Sequence, residues 1–162
     1  MKRINEEEAL QRAAAYCAAA EHCSWDVRKK LASLELPDEA IERIIARLVK
    51  ERFIDERRYA ASFANDKLRF NKWGRIRIDY ELKKRGVPAD ARAEALEGID
   101  AESYTGILAS LLNDKRKSMK AADRREAYFK LLRFGASRGF ESHEINRCLK
   151  ALFNGEDYED ME

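Results

Sequence analysis

The sequence predicts an all-α protein, an elongated, curved array of three tandem three-helix repeats. Three observations lead there. First, a pattern recurs: Pro37 and Pro88 stand 51 residues apart, and that offset lays Val27 on Ile78, Leu31 on Leu82 and Leu48 on Ile99. A fainter third copy places Arg138-Gly139-Phe140 where Arg85-Gly86-Val87 stands, an offset of 53. A fixed period of this size marks a repeat architecture, in which neighbouring units complete one another's cores. Second, apolar residues fall at i, i+3, i+4, i+7 almost throughout, the spacing that keeps side chains on one helix face. Third, Gly and Pro are few, seven and two in 162 residues, which argues against an all-β fold.

The elements follow in order. Leu10, Ala13, Ala14 and Cys17 form the first stripe, Val27, Leu31 and Leu34 the second, and Ile41, Ile44, Ile45 and Leu48 the third. Tyr59, Phe63 and Phe70 continue, with Ala60 and Ala64 beside them. Ile76, Ile78, Tyr80 and Leu82 alternate with polar residues as a strand would. Ile78 and Leu82 nevertheless keep the helical spacing of Val27 and Leu31, so this stretch is read as a helix with Ile76 and Tyr80 on a second apolar face, toward a neighbouring repeat. Ala91, Ala95 and Ile99 come next, then Tyr104, Ile107, Leu108 and Leu111. Tyr128, Leu131 and Leu132, then Ile145, Leu149 and Leu152, close the series. Ser24, Asp55, Asp100, Asp123 and Ser142 are candidate N-caps, because a short oxygen-bearing side chain accepts from an orphan helix N–H. Pro37 and Pro88 suit a first helical turn, Gly74 and Gly86 bracket one helix, and Gly139 ends another. The boundaries expected are repeat 1 at 6–52, repeat 2 at 53–99, repeat 3 at 100–153 and a solvated acidic tail at 154–162.

Charge separates along the chain. Charged residues make up 38% of the sequence, yet the net charge is only +2. Residues 67–92 carry nine Lys or Arg against three acids, residues 115–138 nine against two, and residues 154–162 five acids and no base. Within the first block Lys67, Lys72, Arg75, Arg77, Lys83, Lys84 and Arg85 interleave with Phe70, Trp73 and Tyr80. Cations of this density attract phosphate through counterion release, and aromatic faces stack on unpaired bases. Lys115, Arg116 and Lys117, with Arg124 and Arg125, form a second block expected in the connection between two helices. The alternative for both blocks is a solvated helix face. Pro37-Asp38-Glu39 and Pro88-Ala89-Asp90 put acids where a groove-reading helix needs donors, which argues against helix-turn-helix recognition.

Other functions find little support. Cys17, His22 and Cys23 lack the paired spacing of a metal site, and His143 and Cys148 are remote. No Gly-rich phosphate loop or activated nucleophile is present, so neither a catalytic residue nor a cofactor or metal is expected. Met1 to Glu8 turns acidic where a leader would turn apolar. The longest apolar run, Ala13 to Ala20, is far short of the ~20 residues of a membrane span. With an odd number of cysteines, these features suit a cytoplasmic, monomeric, non-enzymatic protein with no membrane partner.

One segment carries a family resemblance. Ile54-Asp55-Glu56-Arg57-Arg58-Tyr59-Ala60, then Gly74, Arg77-Ile78 and Glu81-Leu82, ending in Lys84-Arg85-Gly86-Val87, resembles the core of the RecX family of bacterial recombination regulators. Ser24 to Leu31 is similar to that family's first repeat. The chain departs from the pattern at Arg85 and Val87 and most in the third repeat. The resemblance implies a non-enzymatic regulator that binds the RecA recombinase filament on single-stranded DNA and dampens its ATP-dependent strand exchange. A sequence-nonspecific nucleic-acid-binding repeat protein, or a helical scaffold binding only protein, are the alternatives the residues leave open.

Overall fold

The computed structural model describes residues 4–153, so the acidic stretch 154–162 lies outside the described residues. Among the described residues the chain forms nine α-helices and no strand: α1 (Glu6–Ala19), α2 (Ser24–Ala32), α3 (Asp38–Lys50), α4 (Glu56–Asn71), α5 (Arg75–Lys84), α6 (Ala89–Glu97), α7 (Ala101–Ser118), α8 (Arg124–Ser137) and α9 (Ser142–Leu152). The alternating stretch Ile76 to Leu82 is helical, as the Ile78–Leu82 spacing predicts.

The helices distribute over two compact units. Among the described residues one holds 4–62 and 82–95, the other 63–81 and 96–153. In the first, α1, α2 and α3 pack on one another. Their core is Ala9, Ala13, Cys17, Val27, Leu31, Ile41, Ile44, Ile45, Leu48 and Ile54. Small residues on α1 let the larger side chains of α2 and α3 approach it. In the second unit α7, α8 and α9 pack mutually. Leu68, Ile78, Tyr104, Leu108, Leu131, Phe140, Ile145 and Leu149 are buried there.

The offset read from the sequence has a backbone counterpart. Glu35, Gly86 and Gly139, the residues it superposes, all adopt left-handed φ, at 57°, 76° and 90°. Each follows the second helix of its stretch. At Gly86 and Gly139 the turn is the same hydrogen-bonded cap: Val87 N–H donates to Leu82 O at 3.1 Å and Phe140 N–H to Gly135 O at 3.2 Å. That cap satisfies carbonyls that the helix end leaves orphaned and swings an apolar residue inward. Val87 and Phe140 are both buried. The superposed pairs Val27 and Ile78, Leu31 and Leu82, and Leu48 and Ile99 are buried as well.

Five local expectations need correction. Ser24 and Ser142 are not N-caps. The extended backbone belongs to Cys23 and Glu141, each one residue earlier, and the serines are the first helical residues. Pro37 and Pro88 likewise precede α3 and α6 rather than opening them. Phe70 is exposed. The buried line of α4 runs through Ala60, Ala64 and Leu68, spaced by four, and Phe70 lies about half a turn from Leu68. Ile76 and Tyr80 are also exposed among the described residues, so they do not form the buried second apolar face expected of α5. The basic run from Lys115 to Arg125 is helical at both ends rather than a plain connection, with Lys115–Lys117 in the last turn of α7 and Arg124–Arg125 in the first turn of α8. Asp100 and Asp123 do cap: their carboxylates accept from Ser103 N–H at 2.9 Å and Glu126 N–H at 2.8 Å. Asp55 accepts from both Arg57 and Arg58 N–H at 3.0 Å.

Candidate interaction surfaces

The N-terminus of α5 explains how the basic segment is held. Gly74, the residue that precedes it, has no side chain to offer as a cap. Instead the orphan N–H groups there reach elements distant in sequence. Gly74 N–H donates to Arg138 O at 2.9 Å, Arg75 N–H to the Tyr104 hydroxyl at 3.0 Å, and Ile76 N–H to Gly139 O at 3.0 Å. So close an approach needs two glycines. A Cβ on Gly74 would stand 2.4 Å from backbone atoms of Gly139 and Phe140, and one on Gly139 would stand 2.4 Å from Arg77 Cβ. The equivalent position in α2 uses the same device with another group: Ser24 N–H donates to Glu56 Oε1 at 2.9 Å.

Around this junction Arg75, Tyr104 and Glu141 form one cluster. The Arg75 guanidinium lies 3.8 Å from the Tyr104 ring centroid, and its Nη1 is 2.9 Å from Glu141 Oε2. The Tyr104 hydroxyl, which accepts from Arg75 N–H, donates to Glu141 Oε1. Burial pushes the Glu141 carboxyl up, but the bonds from Tyr104 and Arg75 outweigh it and hold it below its usual range. Burial above all, with the Glu141 bond, pushes the Tyr104 hydroxyl up. Arg75 therefore serves the fold, and the same fact removes it from the cations free to meet a partner.

A group with a depressed folded pKa stabilises above the ordinary carboxylate range and loses that contribution as pH falls through the folded value. Replacing Glu141 by Gln should cost about 1.5–3 kcal/mol at neutral pH, the worth of bonds to a charged group. The melting-temperature gap between wild type and Glu141→Gln should be full above the ordinary carboxylate range, near ~4.3, and narrow progressively as pH falls below it. A gap that stays constant would contradict the cluster's charge.

The other sequence candidates divide between the units. In the second unit two cations approach the Trp73 ring: Arg77 Cζ lies 4.3 Å and Lys67 Nζ 5.0 Å from its centroid. Such pairs are worth about 0.5–1 kcal/mol at exposed sites. Lys72 is the left-handed residue following α4, and its Nζ donates to Arg69 O. In the first unit Lys83 and Lys84 are exposed in the last turn of α5. Arg85 lies 5.5 Å from the Trp25 ring, where Lys29 also sits at 4.2 Å.

In the second basic block Arg116 is structural. Its guanidinium lies 4.3 Å from the Phe153 ring and donates to Leu152 O at 3.2 Å, closing the end of α9. Lys115 stands 5.1 Å from the Phe134 ring and Arg125 5.9 Å from that of Phe129. Lys117, Arg124 and Arg125 are exposed. Among the described residues Arg77, Lys83, Lys84 and Lys117 have no carboxylate partner. The Tyr104–Glu141–Arg75 cluster gave no signal in the sequence, because its members are 29 to 66 residues apart.

Helices in sets of three, with the second helix of each set ended by a left-handed residue, place this chain among proteins assembled from three-helix domains. Comparison with known proteins makes this specific. Residues 9–48 match the first three-helix domain of RecX and residues 55–96 the second. "Regulatory protein RecX" of Prosthecochloris aestuarii is 31% identical over 94% of this chain and 98% of its own length. The protein of that name from Clostridium perfringens is 29% identical, and the match covers 81% of this chain and 62% of that longer relative. The crystal structure of RecX from Lactobacillus salivarius superposes with a TM-score of 0.79 at 20% identity, covering 92% of this chain and 97% of that one. The chain belongs to the RecX family.

Proposed function

We propose that this protein binds the RecA recombinase filament on single-stranded DNA and dampens its ATP-dependent activity, as a regulator rather than a catalyst. Family membership sets the frame. The observation that carries the reading is the set of unpaired cations Arg77, Lys83 and Lys84 within the stretch that matches the second RecX domain. Solvated faces usually neutralise their cations with acids at i+3 or i+4. Here the acids fail to, so the charge remains available to an anionic partner. Arg125 adds a second indication. It is exposed in the first turn of α8, where the helix dipole disfavours a cation by about 0.3–1 kcal/mol. A side chain held against that cost is suited to an external anion.

Binding should weaken with salt. If phosphates take part, log affinity falls linearly with log salt, with a slope of about −0.7 per phosphate on single strands. Titrating fluorescently labelled filament with the protein at several salt concentrations measures the slope. A salt-independent affinity would restrict the contact to protein, and no binding at any salt would overturn the reading.

A further inference from the structure

The second unit carries a groove whose rim includes Lys72 of the basic segment. Its volume is about 550 Å³, and Leu68 of α4 with Ile107 and Leu111 of α7 line its floor. That size lies in the range of binding clefts and far exceeds a packing defect. Gly106 lines it too, inside α7, the longest helix among the described residues. Glycine is among the least favourable residues in a helix interior. At Gly74 and Gly139 the neighbouring backbone demands one. At Gly106 a Cβ would meet nothing within 4 Å, so no internal contact calls for it. The missing side chain instead keeps the groove open. The rims are charged. Arg69 and Lys72 stand on the α4 side and Asp114 on the α7 side, while Asp100 is committed to capping α7. Arg69 and Asp114 have no ionic partner among the described residues.

We infer that this groove receives an amphipathic helix of the partner protein, with its apolar stripe on Leu68, Ile107 and Leu111 and its acidic flank toward Arg69 and Lys72. A helix fits because the groove follows α7, and the packing distance between two helices is set by the side chains at their contact. An apolar stripe laid in a hydrophobic groove is an established mode of recognition. Apolar floor and opposed charged rims fit such a helix better than nucleic acid, which would need cations on both sides. The inference rests on the filament reading above, since the filament supplies the helix.

Gly106→Leu tests it. Leucine is a strong helix former and would fill the groove. The melting temperature should rise by a few degrees while affinity for the recombinase–DNA filament falls about tenfold or more, with the salt slope unchanged. Opposite signs for stability and binding cannot arise from misfolding. Arg69→Glu should weaken filament binding at unchanged stability. Wild-type affinity in a stable Gly106→Leu variant would overturn the groove and leave the regulatory reading standing. If wild-type protein itself fails to bind the filament, that reading falls and the inference with it. Equal loss of binding to bare single-stranded DNA would make the occupant nucleic acid, and a dimer dissociated by Gly106→Leu would make it a second copy of this chain; either would overturn the partner helix.

Discussion

Gly74→Ala should be among the most destabilising single-methyl changes in this protein. The added Cβ would sit 2.4 Å from the carbonyl of Gly139 and the amide of Phe140, where real Cβ atoms do not go. The obstacle is backbone on both sides, so no side chain can swing away. Either α5 retreats and loses the bonds from Gly74 and Ile76 N–H to the turn before α9, or the turn yields. Overpacking costs about 1–3 kcal/mol. Each forfeited bond adds about 0.5–1.5 kcal/mol, and more if the donor stays buried. A total of about 2–5 kcal/mol would lower the melting temperature by roughly 5–15 °C. Gly86→Ala separates this cause from backbone strain. Gly86 has φ 76° and nothing within 4 Å of its Cβ position, so alanine meets only the left-handed penalty of about 1–2 kcal/mol. Thermal denaturation of both variants settles the comparison. Equal losses would mean that the close approach of Gly74 to Gly139 adds nothing.

Changing Arg77, Lys83 and Lys84 together to Gln should have the largest effect on binding. None of the three has a carboxylate partner among the described residues, so no buried charge is left behind. The internal losses are small: the contact of Arg77 with Trp73, about 0.5–1 kcal/mol, and a favourable dipole term for the two lysines, about 0.3–1 kcal/mol each. The variant should fold, with a melting temperature lower by a few degrees. Filament affinity should fall by more than tenfold at low salt, and the salt slope should become shallower by roughly 2, three phosphates at ~0.7 each. Arg75 is left out of the set because its loss would break the Tyr104–Glu141 cluster and confound stability with binding.

Much of the fold was legible because it is written in short spacing. Ile41, Ile44, Ile45 and Leu48 of α3 and Ile145 and Leu149 of α9 are buried as the period selects, while Leu152 is half-buried and Glu144 and Cys148 are buried without having been selected. The left-handed residues at Gly86 and Gly139 were readable because glycine advertises that conformation. Glu35 was not, since nothing in a glutamate signals positive φ. The surface was harder to read. Charge density located the basic segment but could not tell Arg75, bound to Glu141, from Arg77, which is unpaired. The aromatics misled in a similar way. Trp73, read as a stacking platform, is half-buried with two cations near its ring, while Phe70 and Tyr80 are the more exposed rings. For Arg75 the deciding partners lie 29 and 66 residues away, and no local pattern reports them.

The central claim is that this chain restrains a recombinase through its unpaired cations. Steady-state ATP hydrolysis by RecA on single-stranded DNA, followed as purified protein is added, tests it most directly. Hydrolysis should fall in a saturable way with wild-type protein, and the Arg77, Lys83, Lys84→Gln variant, shown folded by circular dichroism, should need at least tenfold more protein for the same effect. Undiminished hydrolysis at saturating wild-type protein, or equal inhibition by the folded variant, would contradict the account.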